Sequence, residues 1–122
     1  MALGFVGTGK MGAMLVRALL RAERPVEEEI WASNRSQEKL EDLQLHYPRL
    51  RTGSNRELAE VCDTLFLCIR PGDTAQVVEE VRPALRARQL LVTISNVVDL
   101  ERLAAAAPCR TAKVIPSFTQ FV

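Results

Sequence analysis

Aromatic residues are scarce in this chain, at 5% of its 122 positions, while hydrophobic residues of all kinds reach 48%. The interior must therefore be built from Leu, Val, Ile and Ala, which favours layered α/β packing over a β-sandwich. Excess charge is also lacking, since 16 basic residues face 15 acidic ones and leave +1. A chain so balanced exerts no electrostatic pull on nucleic acid or an anionic membrane, so neither is expected as a partner. Histidine occurs once, as His46, and the three cysteines, Cys62, Cys68 and Cys109, form no CxxC pair. A zinc site needs about four such ligands, so no metal is expected. An odd, unclustered cysteine set also argues against a disulfide framework and for a reducing compartment. Cys62 and Cys68 are expected to be core fillers. No apolar run approaches the ~18 residues of a membrane span. The N-terminus passes straight into Ala2-Leu3-Gly4-Phe5-Val6 with no basic segment before it. A signal peptide is therefore not expected, and the cytoplasm is the expected location.

What is present is an alternation of short apolar runs with amphipathic stretches, on the scale of one domain. Leu3 to Val6 is a first strand. Met11, Met14, Leu15, Ala18 and Leu19 then recur at helical spacing, with Arg17 and Arg21 on the outer face. Ile30-Trp31-Ala32-Ser33 is a second strand, and Leu40, Leu43 and Tyr47 mark one face of a second helix. A third strand is expected near Leu50 to Thr52. Ser54 and Glu57, ahead of Leu58 and Val61, form a capping-box pattern that opens a short helix. The apolar run from Thr64 to Ile69 reads as a central strand covered on both faces. Asp73 is expected to cap the next helix, whose inner face is Val77, Val78, Val81 and Leu85. Leu90 to Ile94 is a fifth strand, and Leu100, Leu103, Ala104 and Ala107 define a helix. Lys113-Val114-Ile115 is a sixth strand, stopped by Pro116. Trp31 is expected to pack and His46 to be an exposed polar group.

Such alternation implies parallel strands joined by right-handed crossovers. Six strands in this rhythm match the Rossmann doubly wound α/β fold, a mostly parallel sheet in the order 3-2-1-4-5-6 with helices on both faces. Gly7-Thr8-Gly9-Lys10-Met11-Gly12 lies where that fold needs it, directly after the first strand and at the mouth of the first helix. Gly7 permits the tight turn, Gly9 leaves room for a pyrophosphate, and Gly12 lets the helix pack close. The helix N-terminus offers unpaired N–H groups and a partial positive charge to the phosphates.

The end of the second strand carries Ser33-Asn34-Arg35-Ser36 and no acid. A domain that binds NAD(H) usually has Asp or Glu there, accepting from the ribose 2′-hydroxyl. Hydroxyl, amide and guanidinium groups instead donate to a 2′-phosphate, so NADP(H) is the expected cofactor. Arg35 also fits a solvated loop position, and Ser36 a helix cap. The loop Cys68-Ile69-Arg70-Pro71 follows the fourth strand, beside the switch in strand order where ligands bind. Arg70 there is either a cofactor contact or a surface charge.

Together these segments resemble the pyrroline-5-carboxylate reductase family along nearly the whole chain. The likeness rests on Gly4 through Gly12, Ser33-Asn34-Arg35, Asn55, Leu67 through Pro71, and Lys113-Val114-Ile115-Pro116-Ser117. Pro108-Cys109 and Ile115-Pro116-Ser117 bring it nearest to the family's late-competence ComER-like branch. The resemblance implies an NADPH-dependent reductase fold in which hydride passes to a cyclic imine acid to give proline. By position it implies that Gly7, Thr8, Gly9, Lys10, Met11, Gly12, Ser33, Asn34, Arg35, Ser36, Asn55, Cys68, Ile69, Arg70 and Pro71 line the cofactor. Ser95 and Asn96 would lie near the nicotinamide, and no catalytic residue is carried over. Ser95-Asn96-Val97-Val98 stands where the family has Ala-Ala-Gly-Val, and Ser117-Phe118-Thr119 where it has Asn-Thr-Pro.

Residues 1–122 are thus expected to be the NADP-binding domain alone. The family's helical C-terminal domain, which forms the homodimer and much of the imine site, is expected to lie outside them. Two other functions share these motifs. One is a non-enzymatic NADP-binding late-competence regulator acting through partners. The other is the cofactor domain of a β-hydroxyacid dehydrogenase, although that family's Asp-x-Ser-Thr pattern after the fifth strand is absent here.

Overall fold

A computed structural model describes residues 1–21 and 27–115; Pro116 and the segment Ser117-Phe118-Thr119 lie outside the described residues. The chain runs β1 (Ala2–Val6), α1 (Lys10–Arg21), β2 (Glu29–Ser33), α2 (Gln37–His46), β3 (Arg51–Thr52) and α3 (Asn55–Val61). It continues through β4 (Thr64–Leu67), α4 (Thr74–Val81), β5 (Leu90–Thr93), α5 (Leu100–Ala106) and β6 (Arg110–Lys113). Short 3-10 turns at Pro71–Asp73 and Arg82–Ala84 flank α4.

The six strands form one sheet in the order β3-β2-β1-β4-β5-β6, and every pairing is parallel. Side chains alternate across the sheet and feed two cores. On one face Phe5, Ile30 and Ala32 meet Val16 of α1 and Leu40 and Leu43 of α2. On the other, Val6, Leu65, Leu67 and Leu91 meet Leu58 of α3, Val78 and Val81 of α4 and Leu103 of α5. Leu58, Leu65 and Leu91 are no more than 1% exposed, and burial on that scale contributes roughly 1.5–3 kcal/mol per side chain. Phe5 and Phe66, register neighbours on β1 and β4, stack with centroids 4.9 Å apart. Among the described residues no helix is long and apolar enough to cross a membrane.

Local chemistry sets the helix starts. Ser54 and Glu57 form the reciprocal capping box at α3, each accepting from the other's backbone N–H at 3.1 Å. Ser36 caps α2 by accepting from Lys39 N, and Asp99 caps α5 by accepting from Glu101 N. Trp31 is half-buried against the core, under the Arg51 guanidinium, and its ring nitrogen donates to Glu29. His46 is exposed.

Several expected boundaries and faces move: the fourth strand ends at Leu67 rather than Ile69, and Leu85 lies beyond α4, after the 3-10 turn that follows it. The sixth strand is Arg110–Lys113 rather than 113–115. Its register against β5 pairs Leu90 with Arg110 and Thr93 with Lys113, and Val114 and Ile115, beyond that pairing, are 50% and 57% exposed. The inner face of α1 is rotated from the expected Met11-Met14-Leu15-Ala18-Leu19 stripe. Gly12 and Val16 are its fully buried positions, and Ala18 is exposed. Close seating of Gly12 on the β1 turn sets that rotation, because the nearest approach fixes which side of the helix faces the sheet. In α5 only Leu103 is buried, with Leu100 and Ala104 exposed; its seven residues cover the outer part of the sheet next to an edge strand.

Candidate cofactor cleft

The cleft opens at the C-terminal ends of β1, β2 and β4, where the sheet order reverses. Gly7 leaves β1 with φ +96°, and a Cβ there would stand 2.5 Å from the Cys68 carbonyl oxygen. Its N–H donates to Ser33 O at 2.8 Å, binding the turn to β2. A Cβ at Gly12 would run into the Gly7 carbonyl oxygen and press on Cys68. These two glycines therefore hold α1 against the strand ends. Gly9 differs, because a Cβ there would meet no atom within 4 Å. Its bare face opens toward solvent beside the start of α1. No acidic residue occupies the first turn of that helix, so its unpaired N–H groups and dipole are free for an anion.

A cleft of about 320 Å³ runs from this turn, lined by Gly7, Thr8, Gly9, Asn34, Arg35, Lys39, Asn55, Cys68, Ile69, Arg70 and Asp73 among others. Several expected ligands are occupied by the protein itself. Ser33 is 2% exposed, and its hydroxyl donates to Asn55 Oδ1 at 2.5 Å. Asn55 in turn donates through Nδ2 to Glu80 at 3.3 Å. Asn34 Nδ2 donates to Thr8 Oγ1 at 2.6 Å, tying the β2 end to the glycine turn. Ser36 is engaged as the α2 cap. Of these residues Thr8, Asn34 and Asn55 line the cleft, with Ser33 behind them, and the exposed cations Arg35, Lys39 and Arg70 are what it presents. Lys39 was not among the expected ligands; its position in the first turn of α2, three residues after the Ser36 cap, is the signal that marks it.

Asp73 departs from its expected role. It stands at the N-cap of α4, yet its side chain makes no capping hydrogen bond. Its Oδ2 lies 3.1 Å from Arg35 and 3.8 Å from Arg70, because the 3-10 turn Pro71–Asp73 points the carboxylate across the cleft instead of along the helix. Burial pushes the Cys68 thiol up to about 12, so this group enters the cleft neutral and adds no negative charge near a phosphate.

The remaining expected residues lie apart from this cleft. Lys10 and Ser36 line an adjoining hollow between α1 and α2, which shares Thr8, Gly9 and Lys39 with it. Met11 and Gly12 sit within α1. Pro71 lines an apolar hollow between α4 and α5 with Val78, Val97 and Val98. Ser95 and Asn96 lie beyond β5, where the Ser95 hydroxyl accepts from Val97 N and the Asn96 carbonyl from Lys113.

A glycine turn between a central strand and a helix, at the switch point of a parallel sheet, defines a Rossmann dinucleotide-binding domain. Residues 2–97 match the family described as NADP oxidoreductase, coenzyme F420-dependent, and the chain belongs to that family. ComE operon protein 4 of Bacillus subtilis is 31% identical over 120 residues, covering 98% of this chain and 44% of that protein. Pyrroline-5-carboxylate reductase of Escherichia coli is 29% identical over 104 residues, covering 85% and 39%. The crystal structure of Plasmodium falciparum pyrroline carboxylate reductase with NADP bound superposes with a TM-score of 0.71 at 25% identity, covering 88% of this chain and 38% of that one. The chain thus spans less than half the length of these relatives. NADP is the coenzyme its family membership assigns.

Proposed function

We propose that this chain is the NADP(H)-binding half of a reductase of the pyrroline-5-carboxylate type, which reduces a cyclic imine acid. The observation that carries this reading is the charge arrangement around an open glycine turn. Gly9 leaves space that a Cβ would fill, and the cleft beside it is lined by three cations, Arg35, Lys39 and Arg70, against the one carboxylate of Asp73. That donor set fits a ligand with a pyrophosphate and one further phosphate better than a ligand with a free ribose diol.

In this reading Gly7, Thr8 and Gly9, with the first turn of α1, hold the pyrophosphate, and the three cations Arg35, Lys39 and Arg70 face the 2′-phosphate. Ser33, Asn34 and Asn55 keep the loops in place through the hydrogen bonds they make with one another and with Thr8. Bound NADPH supplies a hydride at the nicotinamide. The neutral Cys68 thiol and the apolar Ile69 shield one side of the cleft from water. Residues 1–122 form the cofactor domain, and a second domain like that of the longer relatives completes the imine site and a homodimer. The reading places the protein in the cytoplasm, with neither nucleic acid nor membrane as partner.

Calorimetric titration with NADPH and NADH tests the cofactor assignment. NADPH is expected to bind at least about tenfold more tightly, the ratio one charge-assisted contact supplies; equal affinities would overturn it. NADPH oxidation with pyrroline-5-carboxylate, using the full-length protein, tests the substrate.

A further inference from the structure

We propose that Asp73 is a positioning residue for cofactor selectivity, gathering Arg35 and Arg70 from two separate loops onto one anion, the 2′-phosphate of NADP(H). The proposal rests on the cofactor reading above. Three observations support it independently of that reading. First, Asp73 occupies the N-cap of α4 but leaves the cap unmade. A residue type suited to capping has its carboxylate turned away from the helix and into the cleft. Second, a single oxygen, Oδ2, is 3.1 Å from Arg35 Nη2 and 3.8 Å from Arg70 Nε. Third, the Arg35 and Arg70 side chains are 72% and 85% exposed, whereas that of Asp73 is 28% exposed. The carboxylate is the better-fixed partner, and the two guanidinium groups come to it.

The physical consequence concerns placement of like charges. Two exposed arginines on facing loops repel one another and gain conformational freedom by swinging into solvent. One carboxylate between them offsets that repulsion and holds both heads at the cleft mouth. Each guanidinium has five N–H donors, so contact with Asp73 leaves donors for a phosphate. With Lys39 lining the same cleft, these charged groups still sum to a positive field after Asp73 is counted. The carboxylate therefore organises the cationic mouth without cancelling it. Glu80, which lines a neighbouring hollow with Arg35, accepts from Asn55 Nδ2 at 3.3 Å.

Titrating the full chain and its Asp73→Asn and Asp73→Glu variants with NADPH and NADH provides the test. Asp73→Asn is expected to weaken NADPH binding roughly five- to tenfold and NADH binding less than about twofold, because only NADPH carries the phosphate that the paired arginines address. Asp73→Glu is expected to recover most of the selectivity. A merely structural role would lower both affinities alike and shift the thermal midpoint. An unchanged NADPH-to-NADH ratio in Asp73→Asn overturns the proposal, as does tighter NADPH binding, which would make Asp73 a competitor of the phosphate. Failure of the unmodified chain to bind either cofactor would overturn the cofactor reading itself, and this proposal with it. Selective binding in the unmodified chain with no effect of Asp73→Asn would overturn the proposal alone.

Discussion

The side-chain nitrogen of Gln89, ahead of β5, donates to the carbonyl oxygen of Cys62 at the end of α3, 2.7 Å away. The same nitrogen donates to Ala59 O at 2.7 Å, and the side-chain oxygen accepts from Arg86 N. Gln89 is 2% exposed. The last carbonyls of a helix have no partner within it, and here one buried amide serves two of them. Gln89→Leu leaves those oxygens buried and unpaired, at an expected loss of roughly 2–4 kcal/mol. Urea unfolding measures it; an unmoved midpoint would mean that water replaces the amide.

The glycines of the turn separate into two kinds. Gly12→Ala forces a Cβ onto the Gly7 carbonyl, and the variant is expected to lose about 2 kcal/mol or more, as overpacked sites do. Gly9→Val meets open space, so the fold is expected to survive while cofactor binding disappears, because the added side chain occupies the pyrophosphate's approach. Circular dichroism with cofactor titration distinguishes them. An unfolded Gly9→Val would show that Gly9 is a structural glycine.

How far the sequence reaches is clear from particular residues. The alternation of apolar runs and amphipathic helices was legible because parallel sheets bury both faces, and from that the strand order followed. The rotation of α1 was not legible, because it depends on how closely Gly12 approaches Gly7 and on no periodicity. Nor was Gly4, where a Cβ would lie 2.8 Å from Cys62 Sγ and 2.9 Å from Leu65; only tertiary contact shows why β1 carries a glycine there. In the cleft, residue types pointed to the right loops but not to the right roles. Ser33 and Asn34 have donors suited to a phosphate, yet each spends a hydrogen bond on a residue distant in sequence. Asp73 looked like a cap because local spacing cannot show that Arg35 lies opposite it.

The thiols make a pH prediction. Burial pushes Cys62 and Cys68 from 9.0 up to about 12, with Asp63 and Glu29 adding to the shift at Cys62. A thiol with a raised native value stays protonated in the fold while the unfolded chain ionises. Its contribution is therefore fully present below about pH 9 and is lost as pH climbs toward 12. Urea midpoints at about pH 8 and about pH 10.5 are expected to fall more in the parent chain than in Cys68→Ala; equal falls would assign the loss to other groups. At about pH 8 a thiol reagent is expected to modify Cys109 first, since Cys62 is buried and reactivity follows thiolate fraction and access.

Arg35 is the cation on the β2–α2 loop that faces the cleft beside Asp73. Arg35→Asp would place two carboxylates together there, repelling a 2′-phosphate and offering an acceptor to a ribose 2′-hydroxyl. The preference is expected to reverse toward NADH. Calorimetry reads the ratio directly, and an unaltered ratio would show that Arg35 takes no part in recognition.

The 122-residue chain is expected to bind NADPH but to turn over no pyrroline-5-carboxylate by itself. In an open α/β sheet the dinucleotide lies across the strand ends, so this domain covers one side of it. Hydride transfer needs the acceptor carbon held about 3–3.5 Å from the donor, in a site from which water is excluded. The walls described here supply the first side only, from the glycine turn and the loops after β2 and β4. The titratable groups that line the cleft are also engaged otherwise, Lys39 being assigned to the phosphate in the reading above. Asp73 is its one carboxylate and is committed to two arginines. Cys68 holds its proton up to about 12. His46 sits at the far end of α2, with its ring nitrogen 2.9 Å from Asp42 O. Loss of substrate positioning alone removes up to roughly 7–11 kcal/mol of barrier lowering, which is enough to hide turnover. NADPH oxidation by the purified chain should match the buffer blank, and enzyme-like rates above it would mean that the domain completes its own site by self-association.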